Sequence, residues 1–368
     1  MNTLKLQLQK MDLYLLGISG LLVLIGLLMI YSTTFASGSR SELLPRQLIS
    51  LAVGLAALFA LSLFHYRTLQ RLSVAVYILA AASLAGVLAI GRVVKGSTRW
   101  FDLGVAQFQP VEFTKLALII FLAAFFSKHL SRITELRYFL FSLVVAAVPI
   151  GLTLMQPDLG SALVLGCIWF SLLIASGTKR RYVVILLLLA MIGTMVSWSM
   201  FLPDYQKNRI ESFFNPGSDP KGSGYNAIQS ITAVGSGGLL GRGFARGVVS
   251  QLRFLPERQT DFIFASLAEE LGLLGALLLL GLLLLWYIRM LRVVRESQDN
   301  FGYFLSLGIF AYLFFQSCVN IGMNIGLLPI TGIPLPLVSY GGSSLLASLA
   351  AIGILQSVHI RAQLTRFV

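Results

Sequence analysis

The chain has 368 residues, of which 57% are hydrophobic and only 12% charged, with a mean hydropathy of +0.83. A soluble domain carries about 25% charged residues, so this composition cannot clothe a water-facing surface and excludes a soluble globule. The net charge of +13 would point to nucleic acid in a soluble chain. Here the basic residues stand at the ends of apolar runs, where they set orientation and anchor to anionic headgroups, and no nucleic-acid partner is expected.

A spanning helix needs about 20 mostly apolar residues. In chain order such runs fall near 12–31, 47–64, 70–90, 111–127, 138–155, 160–176, 182–201, 263–288, 302–325 and 340–358. They predict an all-α, polytopic integral membrane protein of about ten transmembrane helices, forming a single membrane domain over 1–368. The first run follows Lys5 and Lys10 and has the length of a signal-anchor rather than a cleaved signal peptide. Connections on the side of the N-terminus collect basic residues, from Lys5 and Lys10 through Lys179, Arg180 and Arg181 to Arg361 and Arg366. The opposite short loops hold only Arg40, Arg46, Arg92, Lys95 and Arg99, so both termini are expected in the cytoplasm.

The connection 202–260, between the seventh and eighth runs, is far longer than the rest and is expected on the extracytoplasmic side. Loops beyond about 15 residues are usually functional or disordered. This one alternates glycines with apolar stretches at 227–234 and 247–255, which predicts short interfacial helices. Cys167 and Cys318 lie in apolar runs and read as small hydrophobes, with neither a disulfide nor a metal site expected. His65, His129 and His359 stand singly beside basic residues at span ends and read as interfacial.

Ionisable residues inside spans are unfavourable by about 2.5–3.5 kcal/mol at a helix centre, so each is a functional candidate. Glu112 and Lys115 open the fourth run behind Pro110; three residues apart, they share a helix face. They can form a structural ion pair or the polar wall of an outward cavity. Asp158, in the turn QPDLG, can cap the next helix or face that cavity. Asp261 lies where the long loop enters the eighth run, at the edge of the hydrocarbon. Partial desolvation there suits a general base, whereas the plain alternative is an acidic residue favoured by a helix N-terminus. Glu269 and Glu270, two turns deeper, read as structural contacts within the bundle. Residues 320–344, NIGMNIGLLPITGIPLPLVSYGGSS, combine Asn, Gly, Pro and hydroxyls. Turn chemistry explains the prolines but not the SYGGSS cluster, and non-helical backbone at membrane depth must be buried in protein or line a polar cavity. GSGGLLG at 235–241 has the glycines of a nucleotide loop but follows no strand and lacks the phosphate-binding lysine.

With these residues in view, the chain resembles the SEDS family (shape, elongation, division and sporulation proteins) over essentially its whole length. The matching segments, in order, are QPVEFTKLALI, QPDLG, YNAIQSITAVGSGGLLGRGF, LPERQTDFIFASLAEELG and GIPLPLVSYGGSS. The wording IPLPLVSY at 333–340 is more like the rod-shape elongation member than the division member. The resemblance implies a peptidoglycan glycosyltransferase that polymerises lipid II at the outer face of the bacterial plasma membrane. It implies as partners a class B penicillin-binding protein, which supplies the transpeptidase, and other elongation-complex membrane proteins. The family's essential acid falls on Asp261, and Glu112 and Lys115 match the polar pair beside its cavity. Arg46, Lys115, Arg209, Arg242 and Arg246 are candidates for the pyrophosphate, with room for a divalent cation, Mg or Mn. Asp158, Gln229 and Ser343 complete the expected cavity, and Arg258 departs from the family pattern.

Overall fold

The computed structural model describes residues 7–35, 43–94, 97–102, 107–186, 188–189, 191, 207, 211–218, 222–252 and 254–365. Its spanning helices arise where the apolar runs predict them, because in hydrocarbon a helix alone satisfies every backbone group within one segment. In order they are α1 (Leu13–Phe35), α2 (Leu43–Leu63), α3 (Tyr66–Ile90), α4 (Pro110–His129), α5 (Leu136–Met155) and the shorter α6 (Leu159–Ala175). After the long loop, with α7 (Ser223–Ser236) and the one-turn α8 (Val248–Gln251), come α9 (Ile263–Glu296), α10 (Asn300–Asn324) and α11 (Gly342–Thr365). Eight of these are long and apolar enough to cross a membrane. Residues 180–186 are helical, and most of the expected span 182–201 lies outside the described residues.

One feature is absent from the all-α expectation. Between α3 and α4 the chain forms a small antiparallel sheet, β1 (Arg92–Val94), β2 (Ser97–Asp102) and β3 (Gln107–Phe108), in the order β1-β2-β3. Its branched and aromatic residues (Val93, Val94, Trp100, Phe101) favour strands. From β2, Arg99 donates to the carbonyls of Gln156 and Pro157 and lies 3.8 Å from Asp158, tying the sheet to the turn before α6.

The interior is built from α4, α10 and α11, whose spans are 72%, 67% and 89% buried, whereas α2 and α3 are 22% and 17% buried and form the rim. The two ends of the bundle differ in chemistry. At the basic end Arg289 pairs with Asp12 at 2.8 Å, Arg67 with Asp299 at 2.8 Å, and Arg361 donates to the Ser62 and Leu63 carbonyls. The start of α1, the α2–α3 turn, the α9–α10 turn and the end of α11 therefore meet there. The opposite end gathers the first turns of α2, α4, α6 and α11 with the last of α1 and α10.

At that opposite end two backbone breaks enter the bundle. Within α9, Gly272 has φ 69° and ψ −166°, a conformation open to glycine. The break frees helix groups, and the loop 237–243 satisfies them. Arg242 and Gly243 N–H donate to the Glu269 and Glu270 carbonyls at 3.0 Å, while Leu273 and Leu274 N–H donate to Gly238 and Leu239. The nucleotide-loop look of 235–241 thus has a structural cause: glycines let one backbone lie against another. The second break is 331–341, where Ile333, Leu335, Leu337 and Val338 are buried against the helices, meeting the requirement that irregular backbone at depth be covered by protein. The Val338 backbone lies directly on Gly26 of α1, so that any Cβ at 26 would overlap its carbonyl oxygen. Gly26→Val is expected to displace the segment and cut the yield of folded protein severely, read by size-exclusion chromatography in detergent; normal yield and melting temperature would contradict this packing.

Candidate active site

Asp261 is half-buried at the entry to α9, and its position is set through the main chain. Thr260, Asp261 and Phe262 N–H all converge on the Glu257 carbonyl at 3.1–3.3 Å, closing a tight turn. The Asp261 carbonyl accepts from Asn320 and Asn324 Nδ2, each at 2.9 Å. The neighbouring residues are gripped by the serine-rich motif of 339–344. Ser339 Oγ donates to the Thr260 carbonyl at 2.6 Å, and Tyr340 N–H donates to the Gln259 carbonyl at 2.8 Å. Gln47 of α2 completes the grip, donating to the Ser339 carbonyl and accepting from Gly341 N–H. Of the hydroxyls that turn chemistry left unexplained, Ser339 therefore clamps the aspartate's loop. Gly332, with φ +72°, faces the carboxylate: a Cβ there would stand 3.3 Å from Asp261 Oδ2.

Glu112 and Lys115 form the expected pair at 2.6 Å, and both are fully buried, at 1% and 0% side-chain exposure. Lys115 Nζ also donates to Gln316 Oε1 at 2.8 Å, and the Tyr312 hydroxyl donates to Glu112 Oε2 at 3.0 Å. The pair is thus an enclosed ion pair within α4, tied to α10 by the hydrogen bonds to Tyr312 and Gln316. In this arrangement neither side chain presents surface to a cavity.

Asp158 likewise takes the capping role. It accepts from Ser161 N–H at 3.1 Å and from Ser161 Oγ at 2.9 Å at the start of α6, and is itself buried. Two residues on, Gly160 packs against Ile333 and Thr331, so Asp158 supports the far side of the segment that faces Asp261. Asp158→Ala is expected to lower stability by about 1 kcal/mol, the usual worth of such a cap, while folded protein keeps its activity; loss of activity without loss of melting temperature would instead place Asp158 at the substrate.

The other candidates are spread over the same end. Ser343 Oγ donates to the Gln107 carbonyl and accepts from Gln109 N–H, joining β3 and α4 to α11. Arg46, exposed on α2, lies near Tyr340. Arg242 and Arg246 are exposed on the loop docked at Glu269 and Glu270, about two helical turns along α9 from Asp261. Gln229 is half-buried on α7, beside Ser230, which donates to the Asn324 carbonyl. Arg209 lies outside the described residues.

Glu269 and Glu270 are structural, as expected. Glu269 accepts from Val249 and Ser250 N–H at 2.7 and 2.9 Å at the start of α8, and Glu270 accepts from Ser32 Oγ and Ala245 N–H. Arg258, whose role was open, is buried and donates to the Ser250 and Gln251 carbonyls. It fastens the Asp261 turn to the loop that Glu269 holds. Sequence reasoning passed over Gln47, Tyr312 and Gln316. A polar residue at every fourth position of an apolar span, Tyr312, Gln316, Asn320 and Asn324, is the signal that could have found the last two.

The fold and this site define a class: a polytopic helical membrane protein carrying a rigidly held, half-exposed aspartate among polar loops at one end of its bundle. The chain matches the family model described as cell cycle protein, which takes in FtsW, RodA and SpoVE, over residues 11–364. It belongs to that family. It is 40% identical to the peptidoglycan glycosyltransferase MrdB of Escherichia coli over 342 residues, 92% of each chain. To the stage V sporulation protein E of Bacillus subtilis it is 38% identical over 357 residues, 94% of this chain and 96% of that one. Among solved structures it is similar to a chain of a peptidoglycan synthase complex that coordinates polymerization and crosslinking, with TM-score 0.83 and 32% identity over 96% of this chain and 98% of that one. It is also similar to the rod shape determining protein RodA of Thermus thermophilus, with TM-score 0.70 and 30% identity over 95% and 96%.

Proposed function

We propose that this chain is a peptidoglycan glycosyltransferase that polymerises lipid II into glycan strands during cell elongation, with Asp261 as the general base. In the reaction the 4-hydroxyl oxygen of one GlcNAc bonds to C1 of another molecule's MurNAc, the C1–phosphate oxygen bond breaks, and undecaprenyl pyrophosphate departs. The hydroxyl proton passes to the Asp261 carboxylate. Inversion from the α-linked donor to a β-linkage requires one in-line displacement and no covalent enzyme intermediate.

The observation that carries the reading is the contrast between Asp261 and the acids buried in the bundle at this end; Glu257, also half-exposed, accepts from Thr260 Oγ1 at 3.2 Å. Glu112, Asp158, Glu269 and Glu270 are buried, with their carboxylates engaged in caps and pairs. Asp261 is half-exposed and located by its main chain. A base must be fixed in place while its carboxylate reaches the reacting proton. Positive charge for the departing pyrophosphate is assigned to Arg46, Arg242 and Arg246, which are exposed at this end, and to Arg209. The enclosed Lys115 contributes by holding α4 to α10. Among the described residues no three His, Cys, Asp or Glu converge on a metal-binding arrangement.

The asymmetry of basic residues supports a reading with the basic end and both termini in the cytoplasm of a bacterial cell and Asp261 at the outer face of its plasma membrane. A class B penicillin-binding protein is the expected partner, supplying crosslinks to strands made here. Broken helices at depth also occur in transporters, which makes a lipid II flippase the second reading. Purified protein given lipid II in detergent, where flipping is not required, separates the two: polymer formation supports the enzyme, and intact lipid II binding without polymer, with and without the transpeptidase, would overturn it.

A further inference from the structure

Tyr312, Gln316, Asn320 and Asn324 recur every four residues along α10 and so share one helix face. All four are fully buried, within a span where an apolar residue would be the less demanding choice. The lower two serve the ion pair: Tyr312 donates to Glu112, and Gln316 accepts from Lys115 while donating through Nε2 to the Pro334 carbonyl at 3.0 Å. The upper two serve the turn that carries Asp261.

We propose that Asn320 and Asn324 are positioning residues for Asp261, and that Gln316 joins them, through 333–334, to the Glu112–Lys115 pair. The inference rests on Asp261 being the reacting acid. A carbonyl oxygen has two lone pairs, and on Asp261 both are taken by the Nδ2 groups of this one ladder, each at 2.9 Å. Asn320 Nδ2 donates in addition to the Ile333 carbonyl at 2.7 Å. A single carboxamide thus holds both the Asp261 turn and the segment whose Gly332 faces the Asp261 carboxylate. Its orientation is determined, since turning the amide over would set Oδ1 against two carbonyls. Asn324 is fixed in turn, accepting from Ala265 N–H at 3.1 Å and donating to the Asn320 carbonyl at 2.8 Å. The ladder therefore sets the gap between the aspartate and the segment opposite, and its lower end is anchored by the buried charges of α4.

Asn320→Ala, Asn324→Ala and the double variant, in purified full-length protein, test this with three readouts: lipid II affinity, turnover in detergent and melting temperature. A shift of the base by about 1 Å costs on the order of 100-fold in rate. Each single variant is expected to lose about 10- to 100-fold in turnover per folded molecule, with lipid II affinity within about threefold of the parent. The double variant is expected to lose less than the product of the singles, because both amides hold one carbonyl. Where an alanine variant does not fold, serine at the same position, which keeps one donor, takes its place under the same criteria. Turnover within about threefold of the parent, or a loss carried wholly by lipid II affinity, overturns the proposal. Asp261→Asn is measured alongside. If that variant is active, the base assignment falls and this inference with it; if it is inactive while the asparagine variants work normally, only the positioning role falls.

Discussion

Asp261→Asn protein, purified in detergent, is expected to bind lipid II and make no glycan strand. The substitution keeps the shape of the side chain and removes its basicity. It also keeps the two bonds that Asn320 and Asn324 make, because they end on the main-chain carbonyl of residue 261, and the 261 N–H still meets the Glu257 carbonyl. The fold has little reason to change, and the melting temperature should stay within a few degrees of the parent. General-base catalysis is typically worth 10²–10⁴-fold, about 3–5 kcal/mol of barrier, enough to take polymer below detection in an endpoint assay. Asp261→Ala is expected to behave alike. Near-normal polymer from either variant, at equal protein and lipid II, would remove Asp261 from the chemistry.

The second large effect concerns stability. Replacing Glu112 or Lys115 alone with alanine leaves an unpaired charge at 0–1% exposure, and breaking a buried pair this way costs about 3–5 kcal/mol. Either single variant is expected to fold poorly, with a melting temperature far below the parent. Exchanging the two charges, Glu112→Lys with Lys115→Glu, restores the i,i+3 pairing on one helix face. The swapped ammonium meets the Tyr312 hydroxyl, whose oxygen can accept. The swapped carboxylate meets Gln316 Oε1, so that amide must turn over and give up its bond to the Pro334 carbonyl. Recovery is therefore partial: stability returns further than turnover, because Gln316 also braces the 333–334 segment. A double variant no more stable than the singles would contradict the pairing of these two charges as the source of the stability.

Much of the molecule was legible in its residues. Among the described residues the apolar runs located the spans, with α9 and α11 running seven to eight residues past the expected ends, since lipid leaves a chain no other way to satisfy its backbone than a helix of membrane length. The same logic marked Asp261, Glu112, Lys115 and Asp158, because a charge beside hydrocarbon needs a reason. It did not say which reason. Spacing allowed Asp158 to cap or to face a cavity, and only the Ser161 contacts show that it caps. The sheet after α3 was missed because its strands are only 2–6 residues long and depend on one another for their hydrogen bonds.

What the amino-acid order determined unaided is whatever rests on local chemistry: length against membrane thickness, charge against hydrocarbon, proline and glycine against helix. What the tertiary structure decided is which distant segments meet. Asp261 is held by amides 59 and 63 residues away and by a serine 79 residues beyond Thr260. Such contacts carry no periodic signature, since hydrogen bonds depend on where two segments lie in space and not on their separation along the chain.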